Sequence, residues 1–208
     1  MSLLQSGITK SLAESYSIDN SLRFDDGDDA FLSKTFSSAG NQKTFTISLW
    51  TKKGALGTTE SIFCPTVGGD GANESIFGFR NADDLRFYDS GGNRGYLITT
   101  QLFRDPGAWY HIVIAVDTTE SVAADRIKMY VNGSQVTAFS TETYPTLNQD
   151  LGWGGAQAHY IGRNGHDTNA DYDGYLAEFY FIDGTQLTPS TFGELSSTTN
   201  QWIPLDSD

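Results

Sequence analysis

The chain has 208 residues, of which 38% are hydrophobic and only 19% charged, which favours one well-buried domain and excludes a wholly disordered chain. The formal net charge of −13 disfavours binding to the phosphate backbone of nucleic acids. The single cysteine, Cys64, excludes an internal disulfide and any zinc site built from cysteines.

Residues 1–20 are polar and rich in serine, and we expect an N-terminal arm that precedes one domain over residues 21–208. The start lacks the apolar core of a signal peptide, and no apolar run approaches the ~20 residues of a membrane-spanning helix. We therefore expect synthesis in a cytoplasm without a secretion signal, and no membrane partner. The arm contacts a neighbouring protein in one interpretation and pairs with its own domain as an extra edge strand in the other. The candidate partner-binding residues are Leu3, Leu4, Ile8 and Leu12.

From Ser21 onward, apolar and polar residues alternate with the period of two that indicates half-buried β-strands. The alternating apolar sets are Phe45, Ile47 and Leu49, then Phe77 and Phe79, then Leu85 and Phe87. The β-branched run from Trp109 to Val116 predicts a central strand that is covered on both faces.

The segment 127–139 predicts a β-hairpin around Asn132 and Gly133, because a type I′ turn needs positive φ at both central residues. The segment 172–182 predicts the last long strand, interrupted at Gly174, and one helical turn is expected over 188–192. Glycine-rich turns separate the strands about every ten residues. Together these patterns predict an all-β fold, an antiparallel two-sheet jelly-roll sandwich.

Four segments, in this order, resemble laminin G-like and pentraxin-like domains of the concanavalin A-like lectin and glucanase superfamily. The segments are Ser21–Leu32, Phe45–Trp50, Trp109–Val116 with Ile127–Gly133, and Tyr160–Arg163 with Asp173–Tyr180. The resemblance covers roughly residues 21–195 and implies the concanavalin A-like sandwich. It does not imply one function, because this fold carries lectins, hydrolases and structural modules.

The leader Ser11–Phe24, joined directly to such a domain, is similar to that of small virion proteins of tailed bacteriophages. This resemblance implies a non-enzymatic structural protein of the virion, either a capsid decoration or a tail-associated module. Its arm would anchor it to other virion proteins or to copies of itself. The alternative is a carbohydrate-binding module that recognises a host surface glycan, and a glycoside hydrolase is a third hypothesis.

An acidic turn surrounds Gly27 and is a candidate site for Ca²⁺, which binds six to eight oxygen ligands in flexible geometry. The resemblance implies such an ion between the first turn and the last long strand, with Asp26, Asp28 and Glu178 as ligands. The alternative is a solvated acidic turn, with Glu178 paired to an arginine such as Arg23.

A glycine-rich stretch combines aromatic, amide and imidazole side chains that suit the apolar faces and hydroxyl groups of a sugar. The candidate carbohydrate-binding residues are Trp153, His159, Asn164, His166 and Tyr172. The same stretch is also typical of any long connection in a sandwich. The spacing of the two histidines does not support a transition-metal site, and His111, inside an apolar strand, is expected to be a hydrogen-bonded core residue.

No catalytic pattern is present in the sequence. Glycosidases of this fold carry the strand motif Glu-x-Asp-x-x-Glu, which is absent, and retaining glycosidases need two carboxyl groups ~5 Å apart. Neither a Gly-x-Ser-x-Gly turn nor a phosphate-binding loop occurs. We therefore expect a protein that is not an enzyme.

Overall fold

The computed structural model describes residues 16–66, 74–89, 94–165 and 170–206, and this part of the chain consists mainly of strands, turns and loops. Its helical elements are single 3-10 turns at Asp26–Asp28, Ala123–Asp125 and Pro189–Thr191. In these described ranges, no helix has the length and apolar character needed to span a membrane. The strands are β1 (Leu22–Phe24), β2 (Leu32–Thr35), β3 (Thr44–Lys53), β4 (Glu60–Pro65), β5 (Ser75–Phe79), β6 (Asp84–Asp89), β7 (Gly95–Leu102), β8 (Tyr110–Asp117), β9 (Ile127–Val131), β10 (Ser134–Gln135), β11 (Phe139–Thr143), β12 (Ala158–Ile161), β13 (Gly174–Asp183), β14 (Gly193–Leu195) and β15 (Trp202–Pro204).

Two large antiparallel sheets form the sandwich. Sheet A has the strand order β1-β13-β3-β8-β9-β10, and sheet B has the order β11-β7-β6-β5-β4-β12-β2. The strands β14 and β15 pair with each other, and we call residues 193–204 the C-terminal hairpin. The predicted all-β fold, an antiparallel two-sheet jelly-roll sandwich, is therefore confirmed.

The core lies between the inner faces of the two sheets, as the alternation predicted. Phe45, Ile47 and Leu49 of β3 are fully buried, and they face Phe77 and Phe87 of sheet B. Burying an aromatic or large aliphatic side chain contributes about 1.5–3 kcal/mol to folding, so these interleaved rows supply much of the stability of the sandwich.

Sheet A is also buried on part of its outer face. On β8, Val113 and Ala115 point away from the core, yet they are 0% and 1% exposed. The C-terminal segment crosses this face. Thr46 of β3 donates from Oγ1 to the carbonyl of Thr185 at 2.7 Å and accepts from the backbone N–H of Leu187 at 2.8 Å. The predicted central strand with two covered faces is thus confirmed, and the C-terminal segment is what covers the second face.

The predicted hairpin around Asn132 and Gly133 is confirmed. Both residues have positive φ, 47° and 79°, and Val131 pairs with Ser134 across a two-residue turn. The second arm is shorter than predicted, because β10 ends at Gln135. Phe139 begins β11, which pairs with β7 in sheet B.

The predicted last long strand is confirmed as β13, with one correction to its start. β13 begins at Gly174 rather than at Tyr172, whose side chain lies in the core. β13 is also followed by the C-terminal hairpin, whose three-residue strands are too short to produce a clear alternation in the sequence. The predicted helical turn over 188–192 is confirmed at Pro189–Thr191.

The N-terminal arm is described only from Tyr16 onward, and Leu3, Leu4, Ile8 and Leu12 lie outside the described residues. Residues 16–20 lie on the domain itself, since the Tyr16 hydroxyl donates to Glu178 Oε1 at 2.9 Å. This contact supports the intramolecular interpretation for these five residues.

A buried ion cluster joins the two sheets at one end of the sandwich. The fully buried Nζ of Lys53, at the end of β3, lies 3.0 Å from Asp83 Oδ1 and 3.7 Å from Glu60 Oε2. It also lies 4.6 Å from the centroid of the Phe79 ring. Burial raises the pKa of the Glu60 carboxyl to about 7, because the charged form loses its hydration.

We predict that Glu60→Gln changes how stability depends on pH. As the pH rises from 4.5 to about 7, the unfolded chain releases the Glu60 proton while the folded chain retains it. The contribution of Glu60 to the free energy of unfolding is therefore fully present below pH 4.5. It falls by roughly 3 kcal/mol as the pH rises to about 7. Glutamine does not titrate. Between pH 4.5 and about 7, the urea-unfolding free energy of the wild-type protein should therefore fall relative to that of the Glu60→Gln variant. A constant difference would contradict the prediction.

Candidate functional site

The acidic turn is a 3-10 turn on the surface. Asp25 caps it by accepting a hydrogen bond from the N–H of Gly27 at 3.1 Å, and Asp29 ends it with a φ of 54°. Asp26 and Asp28 are exposed. The turn therefore presents carboxylates to solvent next to the end of β1.

The structure does not bring the three predicted calcium ligands together. β1 pairs Phe24 with Gly174, so the acidic turn follows that end of the ladder. Glu178 lies four residues further along β13, about 13 Å away at ~3.3 Å per residue. Its carboxylate accepts hydrogen bonds from the hydroxyls of Tyr16 and Tyr180. The predicted calcium site shared by Asp26, Asp28 and Glu178 is therefore wrong, because the Glu178 carboxylate is bound to Tyr16 and Tyr180, away from the acidic turn.

Arginines neutralise part of the acidic turn. Arg23 contacts Asp25 at 2.8 Å rather than Glu178, and Arg163 contacts Asp29 at 2.6 Å. In the described ranges, no group of three or more histidine, cysteine, aspartate or glutamate side chains could hold a metal ion. A calcium ion at the turn itself stays a prediction.

The predicted carbohydrate-binding residues lie mainly in the interior. Trp153 and Tyr172 are 0% exposed, His159 is 3% and Asn164 is 5% exposed, while His166 lies outside the described residues. These four buried residues do not form an exposed platform for a sugar, so the prediction that they bind a carbohydrate is wrong. The physical reason is that this stretch is not one exposed loop: His159 lies on β12, Trp153 packs on Phe45 at the start of β3, and Tyr172 contacts Thr51 near the end of β3.

Hydrogen bonds show that His159 and Tyr172 have structural roles. His159 Nε2 accepts from the Gly154 N–H at 3.1 Å, so its Nδ1 carries the proton and donates to the carbonyl of Gln157 at 3.0 Å. The Tyr172 hydroxyl contacts Thr51 Oγ1 at 2.6 Å and donates to the Lys52 carbonyl. Burial lowers the pKa of His159 and raises that of Tyr172, so each stays neutral near neutral pH.

His111 is a hydrogen-bonded core residue, as predicted. Its Nδ1 accepts from the indole N–H of Trp202 at 2.9 Å, and its Nε2 donates to Ser48 Oγ at 3.0 Å. Burial lowers the pKa of His111 to about 4, so the ring is neutral at neutral pH. This histidine lies beneath the C-terminal hairpin and joins it to sheet A.

An open groove on the outer face of sheet A combines aromatic side chains, of which Trp109 is exposed, with exposed polar side chains. It has a volume of about 370 Å³, within the range of small-ligand sites. We call it the tryptophan groove. It is lined by residues 16–21, Trp50, Trp109, Ala177 and residues 202–204.

Three of the four tryptophans of the chain meet in this groove. Trp50 continues the outward-facing row of β3 and lies opposite His111 on β8. Trp109 directly precedes β8, is 38% exposed and packs edge-on against Tyr175. Trp202, on β15, stacks over the His111 ring with an interplanar angle of 20°.

The two ends of the described chain form the walls of the groove. Glu178 lies at a β-bulge in β13, where the register shifts between Ala177 and Tyr180, and it has a left-handed φ of 48°. The bulge directs the Glu178 carboxylate to the hydroxyl of Tyr16, which fixes the N-terminal wall. Trp202, Ile203 and Pro204 form the opposite wall.

The groove offers flat apolar surfaces together with polar groups along its rim. The indole rings can contact the C–H faces of a ligand, while Ser17, Asp19 and Asn20 can exchange hydrogen bonds with hydroxyl groups. This combination suits a small ligand that is apolar on its faces and polar at its edges.

Comparisons with known proteins agree on the fold. A laminin G-like family model, described as the concanavalin A-like lectin/glucanases superfamily, matches residues 25–191. No curated protein matches the chain in sequence. The three solved structures described next are 14–18% identical to it, so they establish the fold alone.

Three of these structures come from different organisms. The chain is similar to a pentraxin of Limulus polyphemus (TM-score 0.54, 16% identity, 84% of this chain and 76% of that one). It is also similar to domains LG4-5 of mouse laminin α1 (TM-score 0.57, 14% identity, 83% and 44%). The third is a protein of Bacteroides ovatus described as carbohydrate-binding (TM-score 0.55, 18% identity, 84% and 46%). The chain thus spans about three quarters of the pentraxin and less than half of the other two.

We predict that Gly133→Ala displaces Trp202 and costs more stability than Gly184→Ala. Both glycines have a φ of 79°, so an alanine adds similar backbone strain at each position. A Cβ at Gly133 would collide with the Trp202 ring, whereas a Cβ at Gly184 would meet open space. We expect the first variant to lose about 1–3 kcal/mol more in unfolding free energy. Equal losses in the two variants would show that Gly133 does not position Trp202.

Proposed function

This chain belongs to the concanavalin A-like lectin/glucanases superfamily, and we propose on that premise that it is a non-enzymatic domain that binds glycans. One observation carries the proposal: three tryptophans converge on one open groove of about 370 Å³. Trp109 is 38% exposed and Trp202 is partly exposed, while Trp50 is 7% exposed, and exposed apolar surface that is contiguous marks an interaction site. A sugar matches them, because its C–H faces cover the indoles while its hydroxyls reach the polar rim.

The burial of the individual rings supports a binding role over a purely structural one. Trp153 is fully buried between Phe45 and Phe87, with a ring distance of 4.4 Å to Phe87, and it needs no ligand. Trp109 has 38% of its surface exposed at the mouth of the groove. The similar structure from Bacteroides ovatus, described as carbohydrate-binding, also supports the proposal.

We propose that the protein is not an enzyme. Hydrolysis of a glycosidic bond uses two carboxyl groups on opposite sides of the bond, roughly 5–9.5 Å apart. Among the described residues that line the tryptophan groove, Asp19 alone carries a carboxylate. One carboxylate can orient a hydroxyl group, but it does not supply both an acid and a nucleophile or base.

For the setting we propose the virion of a tailed bacteriophage, as a capsid decoration or a tail-associated module. The support is the resemblance of the leader and one structural feature. The edge strands β1 and β2 flank an apolar cleft, at which Leu22 and Leu32 are 54% and 48% exposed. Such exposed apolar residues suit a contact with another virion protein or a second copy, in addition to the arm.

We predict that Trp109→Ala abolishes glycan binding while Phe31→Ala leaves it unchanged. Both side chains are 38% exposed aromatics, but Phe31 lies at the acidic turn against Tyr160, away from the groove. The measurement is a screen of wild-type and variant proteins on an array of bacterial surface glycans, with melting curves as a check on folding. An array on which folded wild-type protein binds no glycan would contradict the proposed function.

A further inference from the structure

We infer that the tryptophan groove selects glycans that carry a protonated amino group over neutral and acidic ones. The inference rests on the proposed function and specifies the ligand class of the same site. It follows from the negative charge of Asp19 among the described residues that line the groove, and from the electrostatics of the indole rings.

The charged rim of the groove is acidic. Among its described lining residues, Asp19 is the one with a formal charge, and it is exposed. Ser17 Oγ donates to Asp19 Oδ1 at 3.0 Å, which holds the carboxylate at the rim of the N-terminal wall. An ammonium group on a ligand can form a charge-assisted hydrogen bond with this carboxylate.

More negative charge lies directly behind the N-terminal wall. Tyr16, which lines the groove, donates a hydrogen bond from its hydroxyl to Glu178 Oε1 at 2.9 Å. The hydrogen bond to Glu178 raises the pKa of Tyr16 to about 12, and the charge of Asp206 contributes in the same direction. The Glu178 carboxylate therefore lies within hydrogen-bond distance of the N-terminal wall.

The aromatic floor also favours a cation. The face of an aromatic ring carries negative electrostatic potential, and tryptophan is the strongest of the aromatic residues in attracting ammonium groups. Trp109 and Trp202 present partly exposed indoles to the groove, which the 7% exposed Trp50 also lines. Beneath them, His111 adds no positive charge, because burial lowers its pKa to about 4.

The cationic side chains near the groove face other partners. Lys52 Nζ lies 5.7 Å from the centroid of the Tyr175 ring, and Arg23 contacts Asp25 at 2.8 Å. Neither lines the groove. The whole chain, with a formal net charge of −13, attracts cationic ligands and repels acidic sugars.

The test compares two sugars that differ only in acetylation, the β-1,4-linked trimers of glucosamine and of N-acetylglucosamine. Calorimetric titration is run at slightly acidic pH, where the free amines are protonated. We expect the glucosamine trimer to bind about tenfold more tightly at low salt. The ratio should shrink at about 0.15 M salt, where the screening length is ~8 Å.

Two charge variants identify the source of the preference. Asp19→Asn should bring the ratio of the two dissociation constants toward one, because it weakens binding of the glucosamine trimer more than binding of the N-acetylglucosamine trimer. Glu142→Gln is the matched control. Like Asp19→Asn, it removes one exposed carboxylate that accepts a hydrogen bond from a hydroxyl group two residues away, here that of Tyr144. Unlike Asp19, Glu142 lies on β11 of sheet B. This control should keep the wild-type ratio.

The possible outcomes separate the inference from the proposed function. Equal affinity for the two trimers, or a preference that Asp19→Asn leaves unchanged, overturns the selection of amino groups while glycan binding stands. Tighter binding of the glucosamine trimer that persists in Trp109→Ala also overturns the inference, because that binding lies outside the groove. Failure of both trimers overturns it as well, and a silent glycan array then removes the proposed function too.

Discussion

The hydrogen bond from Trp202 Nε1 to His111 Nδ1 holds the C-terminal hairpin on the outer face of sheet A. That face is apolar at its centre, where Val113 and Ala115 are buried, so it must be covered for the sheet to be stable in water. Trp202 can donate only because His111 is neutral and offers its Nδ1 lone pair. The C-terminal hairpin covers one part of the face and residues 16–21 cover another. The tryptophan groove is the space that remains between them.

The strands of the sandwich were predictable wherever their two faces differ in polarity. The alternation of Phe45, Ile47 and Leu49 defines β3, and the requirement for positive φ at Asn132 and Gly133 defines the hairpin after β9. The short strands were not predictable in the same way. β10 has two residues and β14 and β15 have three each, and their positions depend on contacts with distant segments rather than on a local period.

The site was harder to predict than the fold, because its residues are brought together only by the tertiary structure. Trp153, His159 and Tyr172 share one stretch of sequence with the composition of a sugar-binding loop, but part of that stretch forms β12 and all three side chains are buried. One signal did point to the groove. On β3 the outward positions read Thr46, Ser48 and then Trp50, so a large aromatic residue continues the polar row. The partners of Trp50 lie about 60 and 150 residues away along the chain, and no local pattern connects them.

The most direct test of ligand binding in the tryptophan groove is an NMR titration that follows the indole N–H resonances of the four tryptophans. The resonances are assigned through Trp→Phe variants. The titrant is the glucosamine trimer. Because Trp153 is fully buried in the core, its resonance serves as an internal reference. We expect saturable shifts of the Trp109 and Trp202 resonances and none at Trp153. Saturable binding that leaves the Trp109 and Trp202 resonances unmoved would contradict binding in the tryptophan groove.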